Sequence, residues 1–208
     1  MTLVKVCGIT NLEDAIMSAD AGADALGFNF YRPSPRYLEP AVCGSIVAKL
    51  PRAISKVGVF VNATVDEILQ TQAAAGIETI QLHGDEGADF VSDLKNRTNS
   101  IIIKVVRMSP GSYFPGQLYK DADAFLLDVF DPNLFGGVGK TADWDIAAEV
   151  RRSVRRLYLA GGLDPNNVGA AVEKVRPYAV DAASGLESEK GKKDPEKVIA
   201  FVRNAKNA

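Results

Sequence analysis

Short β-branched runs alternate with amphipathic stretches along this chain, and the alternation repeats eight times in 208 residues. The strand-like runs are Leu3–Ile9, Ala25–Phe30, Lys56–Val61, Thr79–His83, Ile101–Arg107, Ala124–Val129, Leu157–Ala160 and Ala179–Ala183. They are near-continuous apolar segments, the pattern of parallel strands covered on both faces. Helical patterns begin near Leu12, Pro40, Val65, Glu86, Ser112, Asp143, Pro165 and Pro195. Thr10-Asn11-Leu12-Glu13 and Thr64-Val65-Asp66-Glu67 read as capping boxes. Asp164-Pro165 and Asp194-Pro195 each set a capping carboxylate before a proline, and Gly22 and Gly76 close the first and third helices.

Eight strand–helix units, each of about 26 residues, exceed the five or six strands usual in a doubly wound sheet. They predict an α/β fold, a single-domain (β/α)8 TIM barrel spanning residues 1–208. The fifth helix has little room, because Ser109–Gly116 carries two prolines and two glycines.

Composition narrows the function. The formal net charge of −2 advertises neither nucleic acid nor an anionic membrane as partner. Arg151, Arg152, Arg155 and Arg156 are expected on a solvated helix end, and Lys190, Lys192 and Lys193 form a second basic group. Cys7 and Cys43 have no CxxC or zinc-ligand spacing, and a single histidine, His83, argues against a metal site. Cys43 lies in a helical pattern and reads as packing. No apolar stretch reaches transmembrane length and the N-terminus lacks a signal-peptide core, so cytoplasmic residence is the default expectation. Nothing in the residues chooses between a monomer and a homodimer.

In a (β/α)8 barrel the chemistry sits at the C-terminal ends of the strands. Cys7 lies near the C-terminal end of the first strand run and Asp128 near that of the sixth, so a base and an acid could face one ligand across the mouth. Asp131, three residues further on, is a rival acid. Arg36, in the proline-stiffened Ser34-Pro35-Arg36-Tyr37 after strand two, either serves bidentate recognition of a substrate carboxylate or is a solvated loop arginine. His83 ends strand four and either lines the pocket or is a satisfied core imidazole. Gly161 and Gly162 follow strand seven, and Ser184 and Gly185 follow strand eight, the two loops where such barrels commonly bind phosphate. Gly139-Lys140-Thr141 does not complete a nucleotide P-loop, since position 134 is Leu134 and not glycine. Its loop reads as a mobile cover or a ligand-contacting flap.

Taken together these motifs resemble the phosphoribosylanthranilate isomerases of tryptophan biosynthesis. The resemblance runs through Lys5-Val6-Cys7-Gly8-Ile9-Thr10, Gly27-Phe28-Asn29-Phe30 with Ser34-Pro35-Arg36, Val57-Gly58-Val59-Phe60-Val61-Asn62 and Gln81-Leu82-His83-Gly84. It continues through Leu127-Asp128, Gly136-Gly137-Val138-Gly139-Lys140-Thr141, Leu159-Ala160-Gly161-Gly162-Leu163, Asn167-Val168, Val180-Asp181 and Ser184-Gly185. It implies a cofactor-free Amadori rearrangement of a small-molecule phosphosugar–anthranilate substrate, with Asp128 as general acid and Cys7 as general base. It also implies Arg36 on the anthranilate carboxylate and phosphate on the last two loops. Val138 stands where the family usually has threonine, and Ala183 where it commonly has serine. Another phosphosugar isomerase or epimerase, or a non-catalytic phosphosugar-binding protein, are the competing readings.

Overall fold

Side chains along the strand runs point alternately to two apolar environments, and this sets the architecture. The computed structural model describes residues 1–108, 113–128 and 144–208. Its strands are Leu3–Cys7 (β1), Ala25–Asn29 (β2), Ser55–Phe60 (β3), Thr79–Leu82 (β4), Ile101–Arg107 (β5), Ala124–Asp128 (β6), Leu157–Ala160 (β7) and Ala179–Ala182 (β8). Each pairs in parallel with the next, and β8 returns to β1, closing the expected barrel. One set of side chains, including Val57, Ile103, Val105, Ala124, Leu126 and Ala160, fills the interior. The alternate set, such as Val4, Val6, Leu26, Ile80, Ile102 and Leu159, packs outward in one cluster with the helices.

The helices are Leu12–Asp20 (α1), Pro40–Val47 (α2), Val65–Ala75 (α3), Ala88–Arg97 (α4), Trp144–Ser153 (α5), Val168–Val175 (α6) and Pro195–Lys206 (α7). Thr64 and Glu67 form the expected reciprocal capping box, and Asp194 caps α7 through Glu196 and Lys197 N–H. Gly76 ends α3 in the left-handed conformation, φ 65°. Cys43 is fully buried, as packing requires.

Several expectations are corrected. The cap of α1 is Asn11, which accepts from Asp14 N–H; the Thr10 hydroxyl instead donates to Gly191 O. The first strand stops at Cys7 and not Ile9, because Gly8 and Ile9 N–H both turn to Gly27 O with Gly8 at φ 78°. The helix foreseen from Pro165 begins at Val168, since Asp164 first holds Asn166 and Asn167 N–H in a turn. The fifth helical pattern starts at Ser112, outside the described residues; the described part of that connection has only a 3-10 turn at Gly116–Leu118. Between Gly185 and Pro195, where the sequence offered no element, Glu187–Glu189 (β9) and Lys192–Lys193 (β10) pair as a small antiparallel hairpin.

Candidate active site

Cys7 ends β1 at the barrel mouth, half-buried, beside its register partner Gly27 on β2. A methyl group at Gly27 would lie 2.7 Å from the Cys7 sulfur and 3.0 Å from Lys5 Nζ, so only glycine leaves the thiol its place. Asp128 ends β6, level with Arg107 on β5 and Ala160 on β7. His83 leans toward it, Nε2 lying 3.7 Å from Asp128 Oδ2, an ion-pair distance too long for a hydrogen bond. The Gln81 amide lies 3.0 Å from His83 Nδ1, and Arg107 donates to the His83 carbonyl at 2.6 Å. His83 is therefore at the mouth beside Asp128, and not a core imidazole.

The loop carrying His83 stands on a buried ion pair. Lys104 donates to Glu86 at 2.7 Å and to Gly84 O at 2.9 Å, while Glu86 also accepts from Asn62 and Gly84 N–H. Each remaining lone pair is thus occupied, the condition under which a buried pair is tolerated.

Arg36 crosses over Gly8, where a methyl group would meet its Cδ at 2.5 Å, so the guanidinium reaches the neighbourhood of Cys7. There it is not free. Nε and Nη2 each donate to Glu187 at 2.7 Å, which leaves the Nη1 edge without a partner among the described residues. Glu187 also accepts from Lys193 Nζ at 3.1 Å, and Lys193 is buried, not solvated with its basic neighbours. Thr10 on Gly191 O and Asp14 on Lys193 N–H fasten the β9–β10 hairpin to the first loop and so fix Glu187 beneath Arg36.

The phosphate candidates share one corner. Gly161 and Gly162 have φ of 93° and 67°, a double left-handed turn that side chains rarely adopt. Gly162 opens onto free space, and Asn167 braces the loop by donating to Gly162 O and accepting from Asp164 N–H, both at 2.9 Å. Gly185 packs directly on Leu163 O, so loops seven and eight touch, with Ser184 exposed above them. Asp131 and Gly136–Thr141, with Val138, lie outside the described residues. No cluster of three metal-ligating side chains occurs among the described residues, and no helix in them is long and apolar enough to cross a membrane.

A family model for N-(5′-phosphoribosyl)anthranilate (PRA) isomerase matches residues 4–204. The chain belongs to the PRA isomerase family. A relative of that name from Pelobacter propionicus is 46% identical over 206 residues, 99% of this chain and 96% of the relative. A PRA isomerase from Geobacter metallireducens is 45% identical over 207 residues, covering 99% of this chain and all of that protein. Among solved structures, the PRA isomerase of Thermotoga maritima superposes over the full length of both chains with TM-score 0.89 and 40% identity. A PRA isomerase in complex with reduced 1-(o-carboxyphenylamino)-1-deoxyribulose 5-phosphate matches over both full lengths at TM-score 0.86 and 38% identity.

Four charged residues of this PRA isomerase's candidate site escaped the reading of its motifs. Lys5 and Asp181 interrupt the apolar runs of β1 and β8, a signal that a charge points into the barrel. Glu187 and Lys193 carried no such signal, because their roles depend on a hairpin that no local pattern announces. Charge and burial compete at Cys7. Burial pushes its thiol up and the Asp181 carboxylate adds to that, while Lys5 and Lys193 pull it down; the net result lies above the ordinary thiol value.

Proposed function

We propose that this enzyme isomerises N-(5′-phosphoribosyl)anthranilate to 1-(2-carboxyphenylamino)-1-deoxyribulose 5-phosphate, an Amadori rearrangement in tryptophan biosynthesis. Asp128 gives its proton to the ribose ring oxygen, the C1′–oxygen bond breaks, and the anthranilate nitrogen forms a Schiff base with C1′. Cys7, as thiolate, removes the C2′ proton. The resulting enolamine takes a proton at C1′, gives up the proton of its 2′-hydroxyl and becomes the ketone. C1′ is reduced as C2′ is oxidised, so the reaction is redox-neutral within one molecule. Arg36 receives the anthranilate carboxylate on its Nη1 edge, and His83 lines the pocket beside Asp128. The N–H groups of Gly161, Gly162, Ser184 and Gly185 hold the phosphate.

One observation carries the reading: Cys7 and Asp128 end β1 and β6 on the same rim, with Arg36 laid over Gly8 next to the thiol. The test follows the fluorescence of the anthranilate substrate as it is consumed. Cys7→Ala and Asp128→Ala should each lower kcat by about 10²–10⁴, the usual contribution of one acid–base group. Near-normal turnover in either folded variant overturns that residue's assignment, and an inactive wild-type chain overturns the function.

A further inference from the structure

We propose that the buried Lys5–Asp181 pair holds Cys7 ready as a base by supplying the counter-charge for its thiolate, which makes both members positioning residues. The proposal rests on the reading of Cys7 as the base. Lys5 and Cys7 stand two residues apart on β1, so both side chains enter the barrel from the same face of the strand. Lys5 is fully buried and donates to Asp181 Oδ1 at 2.8 Å, directly across in the β1–β8 register. Gly27 closes the third side. Because the sulfur and the ammonium both lie about 3 Å from the same point above Gly27, they are no farther apart than the sum of those two short distances.

The other groups around the thiol do not replace this pair. β2 contributes Gly27 and no charge. Arg36, from the loop after β2, is bound on two sides to Glu187, and Lys193 from β10 shares that same carboxylate. Tyr158 on β7 faces the Lys5–Asp181 pair, and burial pushes its hydroxyl up to about 12, so it stays neutral. Lys5 is thus the strand lysine that stands beside the thiol, and Asp181 takes up its charge when Cys7 is protonated. A buried ion pair is weak evidence for stability, since apolar replacements often do as well. Its place beside the one reactive thiol gives it a use. When Cys7 loses its proton, Lys5 has a second anion to face, and the balance between the two anions sets how much thiolate exists.

This balance makes predictions of opposite sign for the two members. Alkylation of Cys7 by iodoacetamide, followed by mass spectrometry of its peptide across pH in the full chain, reads the thiolate fraction directly. Cys43 is buried and serves as the internal control. Asp181→Asn keeps a hydrogen-bond acceptor for Lys5 but removes the competing charge. It should move the midpoint down by at least one pH unit, making Cys7 about tenfold more reactive at pH 7. Lys5→Met should move the midpoint up by a similar amount, and Lys5→Arg should leave it near wild type. Should Lys5→Met fail to fold, Asp181→Asn set against Lys5→Arg decides the matter.

Midpoints that do not move, or that move the same way in Asp181→Asn and Lys5→Met, overturn the proposal, because a purely structural pair would have no sign. The readout does not require catalysis. If Cys7→Ala retained turnover, the base assignment would fail while these shifts stood; if midpoints were flat and Cys7→Ala were inactive, the pair alone would lose its role.

Discussion

Arg36 and Glu187 lie 151 residues apart in the chain and meet through two hydrogen bonds of 2.7 Å each, from Nε and Nη2 to the two carboxylate oxygens. The contact fixes the guanidinium plane before any ligand arrives and leaves one edge for a second carboxylate. Two parallel bonds to a rigid fork confer orientation as well as energy. The side chains are 20% and 6% exposed, so water competes poorly for either group.

Glu187→Gln tests that preorganisation. The amide accepts from only one of the two N–H groups, and Arg36 gains freedom to turn. A hydrogen bond to a charged group contributes about 1.5–3 kcal/mol. Loss of the smaller figure should raise KM roughly tenfold while kcat stays near wild type. Steady-state kinetics on the anthranilate substrate checks this; a fall in KM would mean that Glu187 competes with substrate for Arg36.

The same carboxylate predicts a pH dependence of stability. Burial opposes its charge, but the hydrogen bonds from Arg36 and the nearby ammonium of Lys193 outweigh it and hold Glu187 below the usual carboxylate range. A group whose folded pKa is depressed stabilises the fold above its unfolded value, about 4.3 for glutamate, and loses that contribution as pH falls through the folded value. Urea unfolding should therefore show the largest gap between wild type and Glu187→Gln at neutral pH, narrowing toward pH 3. A gap that is constant with pH contradicts the assignment.

Gly27→Ala isolates the thiol's position. The added methyl would lie 2.7 Å from the Cys7 sulfur, closer than real contacts allow, and tight against Lys5 Nζ at 3.0 Å, while its third neighbour, Cys7 Cα, is backbone and yields little. Overpacking of this kind costs about 1–3 kcal/mol. Turnover should fall roughly 10²-fold or more, as a displacement near 1 Å does elsewhere, while circular dichroism stays native. Wild-type kcat would show that the thiol need not be held there.

Lys104→Met removes one partner of the buried pair beneath His83. Breaking such a pair costs about 3–5 kcal/mol, because the remaining charge is left in a dry site. Lys104→Met/Glu86→Leu should recover part of that loss, measured by urea midpoint, since no charge is then stranded. A double variant less stable than the single would show that Glu86 matters more through Asn62 and Gly84 N–H than through Lys104.

Much of this protein was legible in its residues for a simple reason. Strand and helix periodicity is local, and eight repeats leave one common closed solution, so the barrel and the rim positions of Cys7 and Asp128 follow from counting strand ends. The glycines of the last two loops were equally local, since their left-handed turns are a property of the residues themselves. The network that surrounds the thiol was not. Lys5 meets Asp181 only because β8 returns to β1, and Arg36 meets Glu187 only because a hairpin folds back onto the first loop. Strand periodicity acts over a few residues, whereas these ion pairs depend on closure of the barrel and on burial that raises their energies. Local pattern selects the residues that reach the mouth; closure of the barrel and the hairpin selects the charges that face one another there.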